Sequence, residues 1–233
     1  LSLWNDHTLL CCSRWQGLLL LDLNTGKYSL PPFDCGKEIM NMLIDSQNRI
    51  WIAPYNGGVS CFTHDGTRLA SYTTQNSELN NDAVLSLAER EGKIWIGTDG
   101  GGINILEPKT GKFTLLEHIP GSDNYSLPAN SILCLYNDRN NNMWAGSIRN
   151  GLISIREVSM KTYTNVLPGN DNGLSNNTVL SIYQESSDRI WVGTDGGGIN
   201  LFNPVTEKFT HYPSTWQNKV ASICPFTSGN LLL

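Results

Sequence analysis

The feature that most constrains this chain is an eleven-residue stretch that occurs twice. Residues 94–104 read Ile-Trp-Ile-Gly-Thr-Asp-Gly-Gly-Gly-Ile-Asn, and residues 190–200 repeat them with a single change, Val for Ile. Weaker copies begin at Ile50 and Met143, and the four tryptophans lie 44, 49 and 47 residues apart. A period of this length with strand-like content is typical of an array of one supersecondary unit.

Each repeat contains four short runs that read as strands. In the third repeat they are residues 84–87, 94–97, 102–106 and 112–116, which we call strands A, B, C and D. The runs are rich in β-branched and aromatic residues and are bounded by Gly, Asn, Pro and Thr, whereas no window keeps a helical apolar spacing for three turns. The sequence therefore predicts an all-β protein, a β-propeller of four-stranded antiparallel blades.

The repeats divide the chain into about five and a half blades within a single region, 1–233. We place the blades near residues 1–37, 38–81, 82–130, 131–177 and 178–218, with an incomplete blade at 219–233. Such a count leaves unpaired edges, which natural propellers avoid. Leu1 is also not an initiator Met. We therefore expect a processed or excised piece of a larger propeller.

Composition excludes several classes of function. The net charge is −5 and the basic residues do not cluster, so no nucleic-acid partner is expected. No window approaches the roughly 20 apolar residues of a membrane span. The six cysteines never take Cys-x-x-Cys spacing, which argues against zinc, and no metal or other cofactor is expected. Cys61 and Cys134 lie in strand-like runs and are predicted to be small buried residues.

Several signatures in register resemble the two-component regulator propeller family. The matching stretches are residues 94–113 and 190–212, together with Asn-rich segments between blades at 76–81, 124–130 and 172–177. The resemblance covers essentially the whole chain. It is specific for the family and does not point to a ligand.

The resemblance implies a function that the composition alone does not reveal. Such propellers form the extracytoplasmic, periplasmic sensor of hybrid two-component histidine kinases, especially in gut Bacteroidetes, and many respond to oligosaccharides from polysaccharide breakdown. The family's propellers are seven-bladed, which implies that this chain is a fragment of one. Dimerisation through the full ectodomain, the membrane helix and the kinase domain are all expected outside this sequence, so we expect no catalysis here.

The geometry of an up-and-down blade indicates where a ligand could bind. The B–C turns lie at the same face as the D–A segments between blades, and the B–C turns are not all alike. Two are the regular Thr-Asp-Gly-Gly-Gly, whereas three contain residues that folding alone does not require. We predict ligand contacts by the irregular turns and by one carboxylate in each regular turn: Arg14, Trp15, Tyr55, Asn56 and Arg149, with Asp99 and Asp195.

Structural explanations compete with several of these assignments. Asp99 and Asp195 precede Gly and fit simple turn residues, and the repeated tryptophans fit a core between blades. The paired Asn residues of the segments between blades fit backbone hydrogen bonding. Two other functions stay open: a protein-interaction scaffold, and a lyase or hydrolase that uses Asp99 and Asp195 as acid and base. The four histidines share no repeat position, and no Gly-x-Ser-x-Gly is present, so no catalytic residue is assigned.

Overall fold

The computed structural model describes residues 1–13, 16–31, 36–120, 126–156, 160–165, 172–212, 219–225 and 231–232. These residues divide into two compact units, Leu1–Leu115 and Leu116–Leu233. Among them the secondary structure consists of strands and turns, and no helix is long and apolar enough to cross a membrane. Arg14 and Trp15 lie outside the described residues.

The first unit contains three four-stranded antiparallel sheets, each of which is one blade. Blade 1 consists of β1 (Ser2–Asn5), β2 (Thr8–Ser13), β3 (Gly17–Asp22) and β4 (Tyr28–Ser29). Blade 2 consists of β5 (Ile39–Ile44), β6 (Ile50–Pro54), β7 (Val59–Phe62) and β8 (Arg68–Tyr72). Blade 3 consists of β9 (Val84–Arg90), β10 (Lys93–Thr98), β11 (Ile103–Glu107) and β12 (Lys112–Leu116).

The second unit contains two further blades and a two-stranded sheet. Blade 4 consists of β13 (Ile132–Asn137), β14 (Met143–Ser147), β15 (Leu152–Ile155) and β16 (Met160–Tyr163). Blade 5 consists of β17 (Val179–Ser186), β18 (Arg189–Thr194), β19 (Ile199–Asn203) and β20 (Lys208–Tyr212). The short strands β21 (Cys224–Pro225) and β22 (Leu231–Leu232) pair with each other. The predicted all-β architecture of four-stranded propeller blades is confirmed.

The same irregularity recurs in the first strand of four blades. In blade 3, Val84 pairs with Thr98 and Ser86 pairs with Gly97, so Leu85 has no opposite residue. The equivalent extra residues are Met40, Leu133 and Leu180. A β-bulge bends the strand and increases its local twist. The bulge lies where strand A begins, beside the end of strand B.

The repeated tryptophans lie in the cores between neighbouring blades, as predicted. Trp51 is 1% exposed and packs with Val84, Leu87 and Ile96 of the next blade. Trp144 is equally buried and packs with residues of blade 5. Trp191 is only partly buried and packs against Val220 and Ile223. Burying side chains of this size contributes most of the stabilisation between blades.

Close approach of the next blade explains why Gly follows Ile-Trp-Ile. A Cβ on Gly146 would lie 2.5 Å from Cys134 Sγ and 2.6 Å from Val179 Cγ1. The thiol of Cys134 also contacts the Val179 carbonyl at 3.8 Å, and burial raises the pKa of this thiol to about 12. Gly193 is equally constrained, since its Cβ would lie 2.6 Å from the Val220 carbonyl oxygen.

The cysteines behave as small core residues rather than as reactive groups. Cys61 is 2% exposed, and burial raises the pKa of its thiol to about 11. Cys134 carries a pKa raised by the same cause. Among the described residues every cysteine is a free thiol, which agrees with the absence of a favoured pair in the sequence.

Candidate functional site

Each B–C turn is tied to the segment that precedes its own blade. The backbone N–H of the first residue after strand B donates to a carbonyl just before strand A, which brings the turn and the segment to one end of the blade. The bonds are Tyr55 to Glu38 at 2.8 Å, Asp99 to Ala83 at 2.8 Å, Ile148 to Ser131 at 3.0 Å and Asp195 to Thr178 at 2.9 Å.

The irregular turns are also tied to the segment that precedes the next blade. Gly58, which ends the turn of blade 2, donates its N–H to the Asp82 carbonyl at 3.0 Å. Gly151, which ends the turn of blade 4, donates to the Asn177 carbonyl at 2.9 Å. An irregular turn and the regular turn of the following blade therefore flank the same dipeptide, and this arrangement occurs once in each unit.

We call these two places the first rim and the second rim. The first rim lies in the first unit and consists of Tyr55, Asn56, Asp82, Ala83 and Asp99. The second rim lies in the second unit and consists of Arg149, Asn177, Thr178, Asp195 and Lys219.

The first rim combines an aromatic ring with polar and acidic groups. Tyr55 is half exposed, at 50%, and Asn56 and Asp99 are exposed. The Asp82 carboxylate is already engaged, because it accepts hydrogen bonds of 2.8 Å from both the backbone N–H and the hydroxyl of Thr74. Tyr55 therefore offers an apolar ring with a polar tip beside fixed hydrogen-bonding groups.

The second rim carries two cations and one carboxylate. Lys219 Nζ lies 3.2 Å from Asp195 Oδ2, and their side chains are 53% and 43% exposed. The backbones of these two residues also form an isolated antiparallel bridge. An ion pair this exposed contributes little to stability, so either partner can be recruited by a ligand at low cost.

Arg149 is held in a backbone conformation that its sister turns give to glycine. At the equivalent position Gly100 has φ +93° and Gly196 has φ +100°, whereas Arg149 has φ +69°. Asn56 occupies the same position in blade 2 with φ +49°, which asparagine tolerates. For an arginine the left-handed conformation costs about 1 kcal/mol or more. A strained residue that folding does not require points to function.

The regular turn itself is explained by a buried amide network. Asn104 is 1% exposed, donates to Asn80 Oδ1 at 2.9 Å and accepts from the Asn80 N–H at 3.2 Å. Asn80 in turn donates to the Gly101 carbonyl at 2.9 Å. The neighbouring Asn81 donates to the Asp99 carbonyl at 2.7 Å. The predicted structural role of the Asn pairs is thereby confirmed for blade 3.

Blade 4 replaces this network with a different pairing. Ile153, fully buried, stands where blades 3 and 5 have Asn104 and Asn200. The amide donor has moved into the turn, where Asn150 Nδ2 bonds to the Pro128 carbonyl at 3.2 Å. The change of Asn150 thus has a structural reason, whereas that of its neighbour Arg149 does not. The guanidinium of Arg149 is exposed and has no hydrogen-bond or ion-pair partner among the described residues.

The two rims contain every predicted site residue that the structure describes. Tyr55, Asn56 and Asp99 lie on the first rim, and Arg149 and Asp195 lie on the second. The contact of Asp195 with Lys219 was missed from the sequence, although Lys219 precedes a strand-A pattern just as Ala83 and Thr178 do. Whether any of these residues contacts a ligand stays a prediction. The described residues contain no group of three or more His, Cys, Asp or Glu that could hold a metal ion.

Comparison with protein families identifies the repeats. A family model described as "Two component regulator propeller" matches residues 78–100, 126–149 and 173–196. Each match runs from the segment before strand A into the B–C turn and includes residues of a rim. No curated protein sequence matches the chain.

Solved structures support the fold. The computationally designed Ika8 protein is 15% identical with a TM-score of 0.62, over 97% of this chain and 64% of that one. The WD40 repeats of RRP9 are 12% identical with a TM-score of 0.66, over 96% of this chain and 68% of that one.

A third structure is the extracellular domain of the hybrid two-component system BT3049 from B. thetaiotaomicron. It is 24% identical with a TM-score of 0.45, over 99% of this chain and 36% of that one. This chain therefore spans less than two thirds of the length of Ika8 and about a third of the BT3049 domain. Because its TM-score is this low, nothing about the present chain is inferred from the BT3049 domain.

Proposed function

Three repeats of this chain match the two-component regulator propeller family, and from this we propose that the chain is the ligand-sensing propeller of a hybrid two-component histidine kinase. In this proposal the propeller is extracytoplasmic, on the periplasmic side of the inner membrane. It binds oligosaccharides released from polysaccharides and transmits occupancy to a kinase that controls transcription. The family match to three repeats is the observation that carries the proposal.

The two rims support binding as the role of this region. Each rim presents exposed side chains on a backbone fixed by hydrogen bonds to two blades, so little order has to be gained when a ligand binds. The first rim offers an aromatic ring and the second offers cations, which are groups suited to sugar rings and to their acidic substituents.

Binding explains the two acidic side chains better than catalysis does. Asp99 and Asp195 occupy the same turn position in their blades, and Asp195 already forms an ion pair with Lys219. A pair of catalytic carboxylates needs different environments that separate their pKa values. We therefore propose that the chain binds its ligand without turning it over and that the kinase activity resides elsewhere in the protein.

Calorimetry on the protein at its natural full length tests the proposal. A panel of neutral and acidic oligosaccharides should include at least one that binds in a saturable way. Silence across the whole panel would overturn the sugar-sensing role. The scaffold alternative is distinguished by Tyr55→Ala and Arg149→Ala, because loss of dimerisation without loss of any sugar binding would favour it.

A further inference from the structure

The second rim differs from the first in its charge, and the difference suggests a ligand chemistry. Both rims are built in the same way, from an irregular turn, the dipeptide that it bonds to and the Asp of the next turn. On the first rim the charged members are Asp82 and Asp99, whereas the second rim has Arg149 and Lys219 beside one carboxylate. The same scaffold therefore presents opposite charge in the two units.

The backbone connections keep the members of the second rim close together. Gly151, two residues after Arg149, donates to Asn177, and the next residue, Thr178, accepts from the Asp195 N–H at 2.9 Å. Lys219 then contacts Asp195 through its side chain. Arg149 and Lys219 are thus carried by successive elements along one rim, on either side of the fixed dipeptide 177–178.

Arg149 is the member that folding does not explain. It occupies a left-handed position that two sister turns give to glycine, it is exposed, and its guanidinium has no partner among the described residues. An arginine presents a planar fork that matches a carboxylate or a sulfate with two parallel hydrogen bonds. Lys219 can add a second cation, because its pairing with Asp195 is solvent-exposed.

We propose that the second rim recognises an acidic sugar, a residue bearing a carboxylate or a sulfate, with Arg149 as the residue that determines specificity. This inference rests on the proposed sugar-sensing function and names the ligand class of one of its two rims. Arg149 pairs with the anion, and Lys219 turns from Asp195 toward it. The first rim, with Tyr55, receives an uncharged part of the ligand.

The test compares two probes that differ only in charge, a galacturonic acid tetramer and its fully methyl-esterified form. The protein at natural full length should bind the acid form more tightly, and raising NaCl from about 0.05 to about 0.5 M should weaken the acid form alone. Arg149→Gln should weaken binding of the acid form by about 10-fold or more, as expected for a lost charge-assisted pair, and should leave the ester unchanged. Lys219→Gln should have a smaller effect, below about 5-fold.

Controls separate this inference from the proposed function. Arg156→Gln changes an exposed arginine just after strand C of the same blade, away from the B–C turns, and should leave both probes unaffected. Arg149→Gly removes the side chain without asking the backbone to change, so loss of binding by a fully folded Arg149→Gly variant cannot be attributed to misfolding. Binding of neutral sugars only, or of acidic sugars with equal affinity in Arg149→Gln, would overturn the acidic-sugar inference. Absence of binding by every sugar would overturn the proposed function itself.

Discussion

The indole Nε1 of Trp51 donates a hydrogen bond of 2.8 Å to Asp45 Oδ2, six residues earlier in the A–B turn. Trp144 makes the same bond to Asp138 at 2.9 Å, and Trp191 makes it to Glu185 at 2.8 Å. The carboxylate holds the turn as well, since Asp45 accepts from the N–H of Arg49 at 2.8 Å. The repeated tryptophan is therefore fixed at both its apolar body and its polar edge.

Removing Asp45 should be strongly destabilising. Its side chain is fully buried and pairs with Arg49 Nε at 2.7 Å, so Asp45→Ala leaves a buried indole N–H and a partly buried guanidinium without their acceptor. Loss of one partner from such a pair costs about 3–5 kcal/mol. Urea unfolding measures the loss. Asp6→Ala, in the exposed A–B turn of blade 1, is the control and should change the unfolding free energy by less than about 0.5 kcal/mol.

A single methyl group at Gly146 should also destabilise the protein. Its Cβ would overlap Cys134 and Val179, and overpacking of this kind costs about 1–3 kcal/mol. Adding Cys134→Ala should recover part of the loss, because the sulfur that the new methyl meets is removed. A double-mutant cycle from unfolding midpoints measures this coupling. Strict additivity would contradict the packing explanation.

Blade 5 should accept the core pairing of blade 4 only when both residues change. Asn200→Ile alone leaves the Ser175 N–H, which donates to Asn200 Oδ1 at 2.9 Å, buried without an acceptor. The cost should be about 1–3 kcal/mol. Adding Ser175→Pro removes that N–H and reproduces the Pro128–Ile153 arrangement, so the double variant should be more stable than Asn200→Ile. Thermal melting of the three variants tests the order, and a double variant less stable than the single one would refute it.

Acid should weaken blade 5 through Glu185. Hydrogen bonds from Arg189 at 2.8 Å and then from Trp191 hold the pKa of this carboxyl below its ordinary value. A carboxyl with a lowered folded-state pKa stabilises the fold above its unfolded-state pKa and loses that contribution as the pH falls through the folded-state pKa. The stability of the wild type should therefore fall more steeply than that of Glu185→Gln below about pH 4.5. Parallel slopes in urea titrations across this range would count against the assignment.

The sequence by itself determined the blade and its core. The period of the Ile-Trp copies and the alternation within each run are local patterns, and they correctly predicted four-stranded blades, tryptophans between blades and Asn side chains that bond to the backbone. These predictions hold because strand, turn and burial preferences act over a few residues and recur in every repeat.

Only the tertiary structure decided which departures from the repeat are structural. Asn150 and Ile153 restore in blade 4 a connection made differently in blade 3, and Gly146 is required by Val179 of the next blade. The pairing of Lys219 with Asp195 and the left-handed backbone of Arg149 were equally invisible in the sequence. Such relationships join residues that are often more than 20 positions apart, or depend on backbone angles, and neither can be read from local pattern. They leave Arg149 as the irregular residue that the fold does not explain.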